Sequence, residues 1–176
     1  MKKNSSSLKG VLTLNPQIHS DSRGHFMELF KTEQLLDFKV RQINQAVSKK
    51  KCIRGLHFQK KPFEQSKLVW VPSGEVLDIV VDLRQQSETY LKSETFLLSD
   101  KNFKMLFIPK GFAHGYVTLT DNVVFNYALD EIYNPEFDFG VNFFDKDINL
   151  KLDLNLEEYE LSKKDKTLPF LKDITF

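Results

Sequence analysis

Five polar residues stand inside otherwise apolar runs of this 176-residue chain. They are Arg54 and His57 in "CIRGLHFQ", Lys67 in "QSKLVWV", His114 in "IPKGFAHGY" and Tyr127 in "VVFNYAL". Taken singly, each reads as a core residue with its hydrogen bonds satisfied, the usual state of a buried polar group. Taken together they contain a base, two cations and a phenol, which is the equipment for moving a proton. His57 itself stands open between a core histidine, a metal ligand and a proton acceptor. Each residue is flanked by apolar neighbours, so each is expected to point from a strand into a barrel or its outer layer.

The elements that must position them are short and β-rich. "SKLVWVPSGEVLDIVVDLR" (66–84) is apolar on both sides of a Pro-Ser-Gly turn at 72–74. "ETFLLS", "KMLFIP", "YVTLT" and "VVFNYAL" follow, separated by the turn-like "DKN", "KGFAHG" and "DN". Short strands at this spacing predict an antiparallel sandwich or barrel. Sixteen phenylalanines suit such a core, because aromatic rings pack well on pleated surfaces. Helix signals are scarce. "KTEQLLDF" (31–38) predicts about two turns with Leu35, Leu36 and Phe38 as the apolar side. "LEEYELSKKDKTLPFLKD" predicts short helical turns packed on something larger. The expected fold is all-β with short peripheral helices. With no repeat, low-complexity stretch or linker, residues 1–176 are expected to form a single domain.

Composition narrows the function. A hydrophobic fraction of 41% and a charged fraction of 28% belong to a globular chain. A formal net charge of +1 supplies no global field for nucleic acid or an anionic membrane, so neither is an expected partner. An anionic small molecule would need a local cluster of arginine and lysine. Cys52, the single cysteine, excludes an internal disulfide and a zinc site built on several thiolates, and it fits a reducing compartment. "MKKNSSSLKGVLTL" lacks the apolar core of a signal peptide, and no stretch approaches the ~20 apolar residues of a membrane span. A cytoplasmic protein is expected.

Read in order, "DSRGHFMELF" (21–30), "RGLHFQ", "KLVWVPSGEVLDIVVDLR", "IPKGFAHGY", "YNPE" and "LSKKD" (161–165) resemble the dTDP-4-dehydrorhamnose 3,5-epimerase family over nearly the whole chain. The resemblance implies a cupin-type jelly-roll barrel and a homodimer whose sites borrow N-terminal residues from the partner. It also implies a cofactor-independent epimerase that inverts C3 and/or C5 of a nucleoside-diphosphate-linked 4-keto-6-deoxy sugar. A proton beside a ketone is removed only if the enolate is stabilised. The reaction therefore needs a base on one face, a donor on the other and a positive group at the ketone oxygen.

By this resemblance His57 is the base, since an unperturbed imidazole, with a pKa near ~6.5, can be neutral and accepting at physiological pH, and Asp165 is its orienting carboxylate. From the residues alone, "SKKD" reads instead as a capping pattern from Ser162 to Asp165; with the resemblance the dyad is expected. Lys67 is the implied stabiliser of the enolate oxyanion and Tyr127 the implied proton donor. Spacing does not show that His57 and Lys67 meet, because Pro62 interrupts the strand between them. His114 is implied as a binding or polarising group. Arg23, Glu28, Gln42, Asn44, Arg54, Asp138 and Lys164 are implied contacts of the nucleotide or its diphosphate, where arginine's planar fork suits phosphate. Gln59 stands where metal-binding cupins carry a second histidine, so no catalytic metal is expected.

Departures from the family pattern cluster after Tyr127. The family reads close to "YKTTDYY" where this chain has "YALDEIY" (127–133), so Ile132 replaces a tyrosine of the nucleotide-base region. "GIRW" becomes "GVNF" (140–143), and an acidic contact becomes the shorter Asp138. These changes predict a nucleotide or sugar other than dTDP-4-keto-6-deoxyglucose, such as a GDP- or CDP-linked 4-keto sugar, including a heptose. The rival readings are a non-catalytic sugar-nucleotide binding module, a sugar-nucleotide 3,4-ketoisomerase and a metal-dependent oxygenase or isomerase on the same barrel.

Overall fold

The computed structural model describes residues 1–35, 37–148 and 150–175. Its strands are β1 (Lys2–Ser5), β2 (Leu12–Asn15), β3 (Ile18–Asp21), β4 (Gly24–Met27), β5 (Gln42–Ser48), β6 (Cys52–Gln59) and β7 (Lys67–Ser73). They continue with β8 (Glu75–Asp82), β9 (Ser93–Ser99), β10 (Met105–Ile108), β11 (Phe112–Thr118), β12 (Val123–Leu129), β13 (Asp138–Gly140) and β14 (Glu160–Leu161). One sheet runs β1-β2-β10-β7-β12-β5 and the other β13-β6-β11-β8-β9, with β14 added to β6 in parallel. β3 and β4 form a separate hairpin. This is the all-β jelly-roll expected of the sequence. Among the described residues, no helix is long and apolar enough to cross a membrane.

Alternation along the strands decides what faces the interior. Val76 and Val80 of β8, Phe112 and Tyr116 of β11, Val69 and Val71 of β7, and Val123 and Phe125 of β12 share one cluster between the two sheets. The intervening residues of β8 and β11, including Ile79, Val81, Ala113 and Val117, face outward. There they are covered by the C-terminal segment through Val141, Phe143, Ile148, Leu161 and Leu171. The outer face of the other sheet, at Leu14, Leu68, Met105 and Ala128, is covered by Leu35 and Phe38. Both faces of the central strands are therefore buried, which is why "EVLDIVVD" reads as a nearly unbroken apolar run.

Two local expectations are corrected. The 31–38 segment forms only a 3-10 turn at Thr32–Gln34 rather than two helical turns; Leu36 lies outside the described residues. A segment this short cannot offset helix nucleation, and Leu35 and Phe38 reach the core without it. The turn assigned to "KGFAHG" ends at Gly111, and β11 already begins at Phe112. All seven residues of β11 are buried, and their backbone groups are paired to β8 and β6 on either side. At the C-terminus the expected short turns appear as α1 (Lys163–Lys166) and the 3-10 turns Leu156–Glu158 and Leu171–Asp173.

The end of β8 is held by a fully buried carboxylate. Asp82 accepts from Arg84 Nε at 2.8 Å and Nη2 at 2.7 Å, and from the hydroxyls of Ser87 and Thr89, both at 2.6 Å. Burial alone would raise its pKa, but these donors outweigh it and hold the carboxyl at about 2. Because the folded-state value is depressed, its stabilisation is present above pH 3.8 and lost as pH falls toward about 2. Asp82→Ala is expected to cost about 3 kcal/mol in denaturant melts at neutral pH. That difference from the parent should shrink in melts taken toward pH 2.

Candidate active site

The inner faces of the two sheets enclose a cavity of about 620 Å³. β6 and β11 form one wall, β7 and β12 the other. A regular strand would turn Arg54 and His57, three residues apart, to opposite faces. The register instead pairs Arg54 with Tyr116 and His57 with His114, so β6 carries one extra residue between them. This bulge puts both side chains in the cavity. Gly55 makes it feasible. Its φ is +116°, and a Cβ there would stand 2.6 Å from Gly115 Cα and 2.8 Å from the His114 carbonyl oxygen.

His57 Nε2 lies 2.6 Å from Asp165 Oδ1. Burial pushes the Asp165 carboxyl up, but its bond to the His57 ring, that ring's charge and the Gly55 amide hold it below the usual range. An ionised carboxylate only accepts, so His57 Nε2–H donates, and in the neutral ring Nδ1 keeps a free lone pair. The sequence posed a cap and a dyad as alternatives for Asp165; the structure contains both. The Asp165 amide donates to Ser162 Oγ at 3.0 Å, starting α1, while the carboxylate reaches back to His57.

Lys67 and Tyr127 enter from the opposite sheet and line the same cavity. His57 and Lys67 thus come together by the packing of two sheets, not along a strand. Lys67 Nζ sits 3.5 Å from the His57 carbonyl oxygen. Desolvation in the cavity brings this amine down to about 8, against Asp78 and Asp138, which favour its charged form. His114, on β11, turns Nε2 to Asp78 at 2.9 Å, both groups buried. Burial lowers the His114 pKa despite that neighbour, so the ring is neutral at physiological pH.

At the mouth, Asp138 accepts from Tyr133 Oη at 2.8 Å and pairs with Lys164. Arg54 is oriented by Ser48 Oγ at 3.0 Å. Asn44 lines the cavity, and Gln42 stands behind it, donating to Asn44 Oδ1 at 2.9 Å and accepting from the Tyr133 amide at 2.8 Å. Arg23 and Glu28 are not brought to this cavity. They lie at and beside the β3–β4 hairpin, Arg23 paired with Asp21 and Glu28 with Lys31. Gln59 gives its amide to the Phe63 carbonyl and accepts from the Asn134 amide. Among the described residues, no three His, Cys, Asp or Glu side chains group as metal ligands. Ile132 is exposed outside the cavity, whereas Tyr133 lines it.

Sequence reasoning passed over Asp78, Tyr116, Ser48 and Tyr133. Asp78 carried the signal used for the other five, a charge alone in an apolar run. Tyr116, paired across strands with Asp78 and stacked on Phe125 at 4.1 Å, read as ordinary core; burial pushes its phenol up.

A cupin-type barrel with a carboxylate-tied imidazole facing a phenol and an ammonium defines an enzyme suited to proton transfer at carbon. The chain belongs to the dTDP-4-dehydrorhamnose 3,5-epimerase family, whose profile matches residues 5–173. It is 40% identical to the dTDP-4-dehydrorhamnose 3,5-epimerase of Methanothermobacter thermautotrophicus, over 95% of this chain and 92% of that one. The crystal structure of the Elizabethkingia anophelis dTDP-4-dehydrorhamnose 3,5-epimerase superposes with a TM-score of 0.94 at 36% identity, covering 100% and 99% of the two chains. A dTDP-6-deoxy-D-glucose-3,5-epimerase of Legionella pneumophila, in complex with dTDP-4-keto-L-rhamnose, gives 0.92 at 35% identity, covering 99% and 94%. The protein is a sugar-nucleotide epimerase.

With Lys67 at about 8, kcat is expected to fall as pH rises through about 8 and the ammonium is lost. Lys67→Arg should move this alkaline limb to higher pH, read from pH–rate profiles. Folding stability has the opposite sign. Between about 8 and 10.5 the unfolded chain binds more protons at Lys67, so stability rises with pH there.

Proposed function

We propose that the chain, as a single epimerase domain, inverts C3 and C5 of a dTDP-linked 4-keto-6-deoxy sugar without a cofactor. His57 Nδ1 takes the proton from the carbon beside the ketone, and the electron pair moves onto the C4 oxygen as an enolate. The Lys67 ammonium stabilises that oxyanion, and Asp165 stabilises the imidazolium. Tyr127 Oη then delivers a proton to the other face of the carbon. The observation that supports this reading most directly is the placement of His57 and Tyr127 on opposite walls of one cavity. A binding module would need neither a base nor a donor.

Arg54 and Lys164 hold the diphosphate; Gln42, Asn44 and Asp138 orient the nucleotide. The dTDP substrates of the relatives and the Tyr133 ring at the cavity favour thymidine over the guanine or cytosine suggested by Ile132. Purified protein should therefore incorporate deuterium from D2O into dTDP-4-keto-6-deoxyglucose at both carbons, by NMR, and far more slowly into GDP- or CDP-linked 4-keto sugars, heptoses included. His57→Ala should abolish exchange at both carbons while dTDP still raises Tm, and Tyr127→Phe should slow reprotonation more than deprotonation. Full turnover by His57→Ala would overturn the assignment, and preference for another nucleotide would overturn the substrate.

The active species is a homodimer. Arg23 and Glu28 stand on and beside a hairpin outside their own cavity, with Phe26 exposed beside them, and reach the nucleotide of a second copy. Mixing inactive His57→Ala with weakly binding Arg23→Ala should restore up to about one quarter of the parental activity, because one cavity of a hybrid receives intact residues from both chains.

A further inference from the structure

We propose that Asp78 is a positioning residue. It acts through His114, holding the ring with Nε2–H toward its own carboxylate, so that Nδ1 is a bare acceptor for a hydroxyl of the bound sugar. This rests on the reading that the cavity binds a sugar beside its ketone.

Two aspartates on β8 show the difference between holding the fold and holding a ring. Asp82 gathers Arg84, Ser87 and Thr89 and ties the strand end to its loop. Asp78, four residues earlier, is equally buried, but among the described residues its carboxylate has one hydrogen-bond partner, His114 Nε2. Its other oxygen, Oδ1, is buried with no hydrogen-bond partner among the described residues. It faces inward between Val76 and Val80, where strand alternation calls for an apolar side chain. A buried charge with so little to join is expensive, and what it does is orient an imidazole that lines the cavity.

The direction of that orientation follows from charge. His114 is deeply buried and its pKa is lowered first by desolvation, so the ring is neutral and carries one proton. A carboxylate at 2.9 Å claims that proton for Nε2. The ring then has only an acceptor to offer the substrate, and polarisation of the ketone is left to Lys67. The chemistry fits a sugar, whose hydroxyls need acceptors in a cavity where Lys67, Arg54 and Tyr127 all present donors. The two histidines are partners across β6 and β11, each tied to a carboxylate through Nε2. The half-buried one opens its Nδ1 to the cavity, and the buried one is held neutral.

The test is nitrogen-detected NMR of histidine-labelled wild-type protein near pH 7. The expected spectrum has His114 as a single neutral tautomer with a slowly exchanging Nε2 proton. In Asp78→Asn that proton should lose its protection and KM should rise about tenfold; kcat, read near pH 6.5 so that Lys67 keeps its ammonium without the Asp78 charge, should stay within about threefold, the pattern of a lost binding contact. A doubly protonated His114, an unprotonated Nε2, or a fall in kcat at unchanged KM would overturn the proposal. If Asp78→Asn does not fold, the wild-type spectrum alone decides. That spectrum needs no substrate, so its failure is distinct from the failure of His57 as base, which deuterium exchange reads.

Discussion

The contact of two glycines governs this site. Gly55 on β6 and Gly115 on β11 let the strands approach where a Cβ on either would meet backbone at 2.5–2.6 Å. At that approach β6 carries its extra residue, and the bulge turns Arg54 and His57 to the same side. It also sets the Gly55 amide beside the Asp165 carboxylate. A regular strand would send either the Arg54 guanidinium or the His57 imidazole to the outer layer. The fold thus devotes a local irregularity to its reactive centre, as β-proteins commonly do where a side chain must be re-aimed.

The chemistry is divided between the two sheets and gains its directionality from that division. The β6–β11 wall provides imidazoles backed by carboxylates; the β7–β12 wall provides an amine and a phenol. Opposed walls are what an inversion at carbon requires, since the proton must leave one face and arrive at the other. Burial then sorts the groups by protonation. It depresses Lys67 to about 8 while leaving it charged at neutral pH, and it keeps His114 neutral. Asp165 stays ionised because α1 delivers it to a donor. Three carboxylates, Asp78, Asp82 and Asp165, are each nearly or fully buried, and their different partners give them different work.

Much of this was legible in the residues. Alternating apolar runs and turn residues implied the all-β barrel, and lone polar residues in those runs marked His57, Lys67, His114 and Tyr127. Asp78 bore the same mark and was passed over because it sits in the most apolar run of the chain. The 31–38 segment has helical spacing but too little length, so its leucine and phenylalanine are buried in an irregular strap. "KGFAHG" looked like a turn because of its glycines, yet Gly115 is there for close packing, and the strand runs through it.

The sequence by itself determined which residues are available for proton transfer, the β-rich character of the chain and its family. It did so because periodicity and residue type are local properties. Tertiary structure alone decided that Lys67 faces His57 across two sheets, and that Asp165 gives its amide to the Ser162 cap while its carboxylate binds an imidazole. It also decided that Arg23 and Glu28 lie away from their own cavity. Those outcomes depend on strand register, on one inserted residue in β6 and on the docking of segments more than a hundred residues apart, none of which leaves a local trace.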